Sequence, residues 1–132
     1  NPFVAVWMED DAGELVRNVA LWYNAPRGER WINNLSGWFS VDQAYSDAGG
    51  TLDYQSVSGA TRPAGTYRVV WDGTKEDGSR ATAGTYTVFV EAAREHGPHS
   101  ISSAPIELGR SKATASLPSN GELGSLSATY TV

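Results

Sequence analysis

The sequence predicts an all-β protein, specifically an immunoglobulin-like antiparallel β-sandwich with one short helix in an insertion. Fourteen Gly and six Pro among 132 residues indicate frequent turns. Between the turns lie seven or eight short segments rich in Val, Thr and Tyr, which is the composition and number typical of a sandwich. A chain of this length fits one core, so we predict a single domain over residues 1–132.

Composition excludes several classes of function. The net charge is −5 and no run of Lys or Arg is present, whereas nucleic-acid binding requires a clustered basic face. The chain has no Cys, so disulfides, thiolate metal sites and cysteine nucleophiles are excluded. No apolar run is long enough to span a membrane. The chain begins at Asn1 without an initiator Met or a signal-peptide pattern, so we expect a mature or trimmed product whose leader or anchor is lost from view.

The first two strands form a predicted hairpin. Residues 3–9 (FVAVWME) and 16–23 (VRNVALWY) are rich in apolar and aromatic residues. The turn signal at residues 11–13 lies between them.

Residues 24–50 interrupt the β pattern. Trp31, Leu35 and Trp38 are spaced at four and three, which places them on one face of a predicted helix over 31–44. We expect this helix to lie across the end of the sheets. The tryptophans either fill the core or wall an aromatic groove. The small, polar residues 46–61 then predict a long irregular connection, of a kind that is usually functional or mobile.

A second predicted hairpin pairs residues 66–71 with 85–92 through a turn at 72–79. Residues 64–70 (AGTYRVV) are nearly repeated at 83–89 (AGTYTVF), which indicates a repeated local structure at two strand starts. The final strands are predicted at 99–108, 112–117 and 126–132.

One loop carries a candidate metal-binding site. Glu95, His96 and His99 could supply three ligands to zinc or another divalent ion, although a plain turn at Gly97-Pro98 explains the same loop. No serine lies in a nucleophile elbow, and the loop beginning at Asp72 lacks the final acid of a calcium-binding EF-hand. No catalytic constellation is visible, so we predict that the chain is not an enzyme.

Three stretches together resemble a bacterial family of extracytoplasmic proteins, the domain of unknown function 2271. They are FVAVWMED at 3–10, SGATRPAGTY at 58–67 and GTYTVFVEAAREHG at 84–97. A second, local likeness connects VWDGT at 70–74 and GTY at 84–86 with the immunoglobulin-like domain of flagellar hook-capping proteins, and it supports a sandwich.

The first resemblance implies a function. Families of this kind are associated with flavin transferases, which attach FMN through a phosphoester to the last residue of a Ser/Thr-Gly-Ala-Thr/Ser motif. Here Ser58, Gly59 and Ala60 match the recognition part, and Thr61 matches the acceptor. Such motifs commonly carry Asp three residues before the Ser, where this chain has Gln55.

Two hypotheses for the function follow. The resemblance implies a periplasmic or otherwise extracytoplasmic redox accessory protein that bears covalent FMN on Thr61. Its partners would be a flavin transferase and a membrane redox protein, and Trp31, Trp38 and Tyr54 are candidates to lie beside the flavin ring. Small residues before Pro63 are equally typical of a loop-to-strand junction. The alternative is therefore a structural or partner-binding domain without a cofactor, which uses a free sheet edge or an aromatic patch.

Overall fold

The computed structural model describes residues 2–23, 35–52, 57–94 and 99–131. Its elements, in chain order, are β1 (Phe3–Glu9), β2 (Leu15–Trp22), α1 (Ser36–Asp47), β3 (Ser58–Gly59), β4 (Gly84–Ala93), β5 (His99–Leu108), β6 (Ala113–Leu117) and β7 (Leu126–Tyr130). One sheet has the order β3-β2-β1-β4-β5, and a second sheet pairs β6 with β7. The predicted all-β sandwich with one short helix is confirmed.

Strand β1 is the middle strand of the larger sheet. It pairs antiparallel with β2 on one side and with β4 on the other. The predicted first hairpin is confirmed, and its turn is closed by Gly13, whose φ of 80° suits a residue without a Cβ. Asp10 Oδ1 accepts hydrogen bonds from the backbone N–H groups of Ala12 and Glu14, which fixes the turn.

One face of the larger sheet packs against the β6–β7 sheet. Side chains at alternate positions of a strand share a face, and on this face Val6, Val88 and Ile106 join Leu117 of β6 in one buried cluster. This cluster is the interior of the sandwich.

The opposite face is covered by helix α1. Trp7 and Ala5 lie on this face with the helical residue Trp38, and all three are almost fully buried. The helix spans Ser36–Asp47 rather than 31–44, of which 31–34 lie outside the described residues. It packs on the face of the sheet and not across its end, because the apolar residues of β1 on this face need a cover.

The connection from β2 through α1 to β3 is a parallel crossover. Ser58 and Gly59 of β3 pair in parallel with Leu21 and Trp22 of β2. Parallel neighbours require a long connection, and a helix on the sheet face is the usual solution. The region 46–61 is therefore not one irregular connection, since it includes the end of α1 and all of β3.

The second predicted hairpin is wrong. Residues 66–71 belong to no strand, and β4 pairs with β1 and β5 instead. Residues 72–80 do form the predicted turn, but its tip attaches to β2, where the N–H of Glu76 donates to the carbonyl oxygen of Val16 at 2.8 Å. The sheet positions beside β4 are already occupied, so the segment before the turn has no place in that ladder.

The near-repeat nevertheless encodes one shared local structure. The hydroxyl of Tyr67 donates to the carbonyl oxygen of Pro63, and the hydroxyl of Tyr86 donates to that of Thr82, both at 2.6 Å and four residues back. The two tyrosines differ in burial, because Tyr86 is 7% exposed in the sandwich interior and Tyr67 is 41% exposed. The repeat therefore determines a turn closed by a tyrosine hydrogen bond. Whether a strand follows the turn depends on tertiary packing, since residues 84–93 form β4 and residues 66–71 form no strand.

We expect Glu9→Gln to stabilise the protein at neutral pH. Glu9 is 8% exposed, and burial raises the pKa of its carboxyl above the ordinary value. The ionised form therefore disfavours the folded state, and this penalty is present above the folded-state pKa and disappears below about pH 4.3, the pKa of an unfolded Glu. Gln still accepts the hydrogen bond that Trp7 Nε1 donates to Glu9 at 2.8 Å.

The measurement is the thermal unfolding midpoint of both proteins between pH 4 and pH 8. The gain in the variant should be present at pH 7 and shrink toward pH 4, whereas Glu14→Gln, on the exposed turn, should show little change. A gain of the same size at every pH would contradict the assignment of the penalty to the carboxylate.

Candidate functional site

The motif Ser58-Gly59-Ala60-Thr61, which is predicted from the sequence to accept FMN and is named here the acceptor motif, begins in β3, an edge strand of the larger sheet. Leu21 N–H donates to the carbonyl oxygen of Val57 at 3.0 Å, and Tyr23 N–H donates to that of Gly59 at 2.8 Å. These bonds hold the first half of the motif against β2. The motif is therefore an ordered edge of the sheet and not a loose loop.

Thr61, the predicted acceptor, lies just beyond the carboxyl end of β3. Because β2 and β3 are parallel, this end lies beside the carboxyl end of β2, where Trp22 is located. Thr61 is half-buried, while Gly59 and Ala60 are exposed. The two small residues therefore lie on the surface, and Thr61 follows them next to the last residues of β2.

An aromatic and cationic cluster adjoins the motif and consists of Trp22, Tyr67 and Arg62. The rings of Trp22 and Tyr67 meet edge to face with centroids 5.3 Å apart. The guanidinium carbon of Arg62 lies 4.2 Å from the centroid of the Trp22 ring and 5.2 Å from that of Tyr67, within the range of cation–π attraction. Sequence reasoning missed this cluster, and the only available signal was that Arg62 directly follows Thr61.

Ser58 contributes an unpaired polar atom. Its Oγ is buried and has no hydrogen-bond partner among the described residues. A buried hydroxyl without a partner costs free energy, so Ser58 Oγ does not stabilise the edge strand.

Several predicted site residues lie outside the described part of the chain. They are Trp31, Tyr54, Gln55, Glu95 and His96. Trp38 is 3% exposed in the core beneath α1, so the core-filling alternative applies to it. Within the described segments, no group of three His, Asp or Glu side chains is arranged to hold a metal ion.

His99, the third candidate ligand, pairs with Glu91 instead. Glu91 is completely buried in β4, and its carboxylate accepts hydrogen bonds from the backbone N–H groups of Gly37 at 3.0 Å and Trp38 at 2.7 Å. The His99 Nε2 atom contacts the same carboxylate from the surface side. An acid at the first turn of a helix satisfies N–H groups that have no partner within the helix.

A polar network continues from this point beneath the helix. Trp38 Nε1 donates to Asn18 Oδ1 at 2.7 Å, and Asn18 Nδ2 donates to Asp42 Oδ1 at 3.1 Å. The backbone N–H of Asn18 donates to the buried carboxylate of Glu76, which also faces Arg17 Nε at 3.4 Å. The network fixes α1 and the 72–80 turn to β2, which is a structural role. The sequence signal for this network was Glu91, an acid within the apolar run of β4.

The aspartates of the 72–80 turn act as turn caps. Asp72 Oδ1 accepts from the N–H and hydroxyl of Thr74, and Asp77 Oδ1 accepts in the same way from Ser79. These hydrogen bonds lower the pKa of both carboxyls. The turn chemistry therefore accounts for the residues that superficially suggested a calcium loop.

The fold and the site together define a class of protein: a β-sandwich whose edge strand carries a short surface motif beside an aromatic and cationic cluster. The chain matches the family described as "Predicted periplasmic protein (DUF2271)" over residues 1–125, and it belongs to that family. The predicted extracytoplasmic location agrees with this description. No curated protein and no solved structure matches the chain.

Among the described residues, no helix has the length and apolar character needed to cross a bilayer.

We expect Glu91→Ala to lower the free energy of unfolding by roughly 2–4 kcal/mol, because two buried helix N–H groups lose their acceptor. Urea unfolding measured by far-UV circular dichroism gives this quantity. Glu107→Ala is the control, since Glu107 is an exposed acid on the neighbouring strand β5, and it should change stability by less than about 0.5 kcal/mol. Equal effects of the two variants would show that Glu91 does not anchor the helix.

Proposed function

We propose that this protein is a periplasmic carrier of covalently bound FMN, with Thr61 as the attachment residue and a separate flavin transferase as the modifying enzyme. The observation that carries the proposal is the placement of the acceptor motif: an ordered sheet edge presents Gly59 and Ala60 on the surface immediately before Thr61. When bound, the flavin supplies the electron-transfer chemistry, and the protein supplies its position and surroundings.

The attachment step is a phosphoryl transfer from FAD. The hydroxyl oxygen of Thr61 forms a bond to the phosphorus of the FMN half, the bond between the two phosphorus-bearing halves breaks, and AMP leaves. A base of the transferase accepts the hydroxyl proton. The product is a phosphodiester that joins FMN to Thr61, and no oxidant or reductant is consumed.

The residues around Thr61 fit this group. Gly59 and Ala60 carry little or no side chain, so a narrow transferase cleft can approach the backbone. Residues 57–71 contain Arg62 and Arg68 and no acidic residue, in a chain whose net charge is −5. The attached phosphodiester is an anion, and this basic stretch would stabilise it.

One observation favours the alternative, a partner-binding domain without a cofactor. Residues 62–70 are all exposed and belong to no strand, and Val70 is 75% exposed within a run of strong strand formers. An exposed segment of this kind is suited to pairing with a strand of another protein.

Intact mass measurement after coexpression tests the proposal. The chain is coexpressed with a flavin transferase in a host that exports both proteins, and the mass and visible absorbance of the purified protein are recorded. We expect a mass increase of one FMN minus one water, which is lost in Thr61→Ala and retained in Thr61→Ser. Thr66→Ala is the matched control, because Thr66 is an exposed threonine five residues further along the chain.

The result that would overturn the proposal is an unmodified mass under conditions in which the same transferase modifies an established substrate. That result would favour the partner-binding alternative. Modification that persists in Thr61→Ala would show that another residue is the acceptor.

A further inference from the structure

We propose that Trp22, Tyr67 and Arg62 form the docking site for the FMN carried on Thr61. The two aromatic rings would receive the isoalloxazine ring, and the guanidinium would pair with the phosphodiester. This inference rests on the proposed function and specifies where the flavin lies after attachment.

The backbone places Thr61 between two residues that touch Trp22. Gly59 is the strand partner of Trp22, and a Cβ built on Gly59 would lie 3.9 Å from the Trp22 Cδ1 atom. On the other side of Thr61, the guanidinium of Arg62 lies over the Trp22 ring. Two residues span at most about 7 Å of chain, so the Cα of Thr61 stays within that distance of the Cα of Gly59. A group tethered to Thr61 therefore starts beside Trp22.

Arg62 is the cation available for the phosphodiester. It is exposed, and it forms no ion pair with any carboxylate in the described segments, although the chain has an excess of acids. Its present contact is with two aromatic faces, and an exposed cation–π contact is weaker than a guanidinium–phosphate pair. Attachment of an anion at the preceding residue would draw the guanidinium away from Trp22.

The guanidinium of Arg62 covers one face of the Trp22 ring, and its movement would uncover that face for a flavin ring. Trp22 is 8% exposed with Arg62 in place, while Tyr67 is already 41% exposed. Trp22 is fixed in the core cluster of the sandwich, and Tyr67 is held by the hydrogen bond from its hydroxyl to Pro63. The two rings meet at an angle that offers one face and one edge.

Flavin fluorescence tests the inference, because a flavin ring stacked on Trp or Tyr is quenched by electron transfer from the aromatic ring. All proteins are first checked by intact mass for one attached FMN per chain. We expect the flavinylated wild-type protein to emit much less than free FMN. Tyr67→Ala and Arg62→Ala should each shift the ratio of undocked to docked flavin, and thus the emission, by about two- to tenfold.

Two further variants separate docking from a structural effect. Arg62→Lys keeps the positive charge, so its flavin emission should stay close to that of the wild-type protein. If Arg62 acted only by packing on Trp22, the emission of Arg62→Lys would instead match that of Arg62→Ala. Val70→Ala changes an exposed residue of the same segment and should leave the emission unchanged. Raising the salt concentration should brighten the wild-type protein, because it screens the pair between Arg62 and the phosphodiester.

The outcomes for the two proposals are distinguishable. A full FMN mass with emission equal to that of free FMN would overturn the docking site and leave the attachment at Thr61 standing. Arg62→Lys that is as bright as Arg62→Ala would overturn the role of the guanidinium charge. Absence of the FMN mass would overturn the proposed function and the docking site together.

Discussion

The structure depends on the burial of strand β1 on both faces and its pairing on both edges. Its partner β4 lies about eighty residues away in the chain, so the centre of the sheet is formed only when distant segments meet. One face of β1 is covered by the small β6–β7 sheet, and the other requires a separate cover. The helix α1 provides that cover. Because α1 lies in the connection between the parallel strands β2 and β3, the same connection leads to β3 at the sheet edge.

At its first turn the helix approaches the sheet closely, because Ala5 and Gly37 are small and leave room for the acid Glu91 between helix and sheet. Ala5 lies directly opposite Glu91 on the sheet, and a Cβ on Gly37 would lie 3.2 Å from the Glu91 carboxylate. The missing side chains leave room for the carboxylate to reach the backbone N–H groups of the first helical turn. A buried charge is unfavourable alone, and here the helix terminus and His99 compensate it.

Sequence reasoning predicted the elements that are set by local pattern. β1, β2, β4 and β5 occur within one or two residues of their predicted bounds, because alternating apolar residues and Gly-containing turns determine them. The strand predicted at 66–71 failed because its composition suits a strand, but a strand also needs a neighbour, and the edges of β4 are occupied by β1 and β5. The near-repeat indicated a local structure that both segments share, but it did not predict which strands pair.

The candidate site was predictable only in part, for the same physical reason. The acceptor motif is contiguous in the chain and was visible as a sequence pattern. The cluster beside it joins Trp22, Arg62 and Tyr67, and the first of these is brought in by the parallel pairing of β2 with β3. A parallel pair inside a predominantly antiparallel fold has no local signature, so its consequences appear only in three dimensions.

The position of β3 has a consequence for solubility. It is one of the two edge strands of the larger sheet, with β5 at the other edge, and it spans only Ser58–Gly59. An edge strand with open hydrogen-bonding groups invites edge-to-edge pairing of sheets from separate molecules. A short strand limits that risk, and a bulky anionic substituent on Thr61 would shield the same edge further. Attachment of the cofactor would then also act as a guard against aggregation, so that the loaded and unloaded proteins would differ in how long they remain dispersed at high concentration.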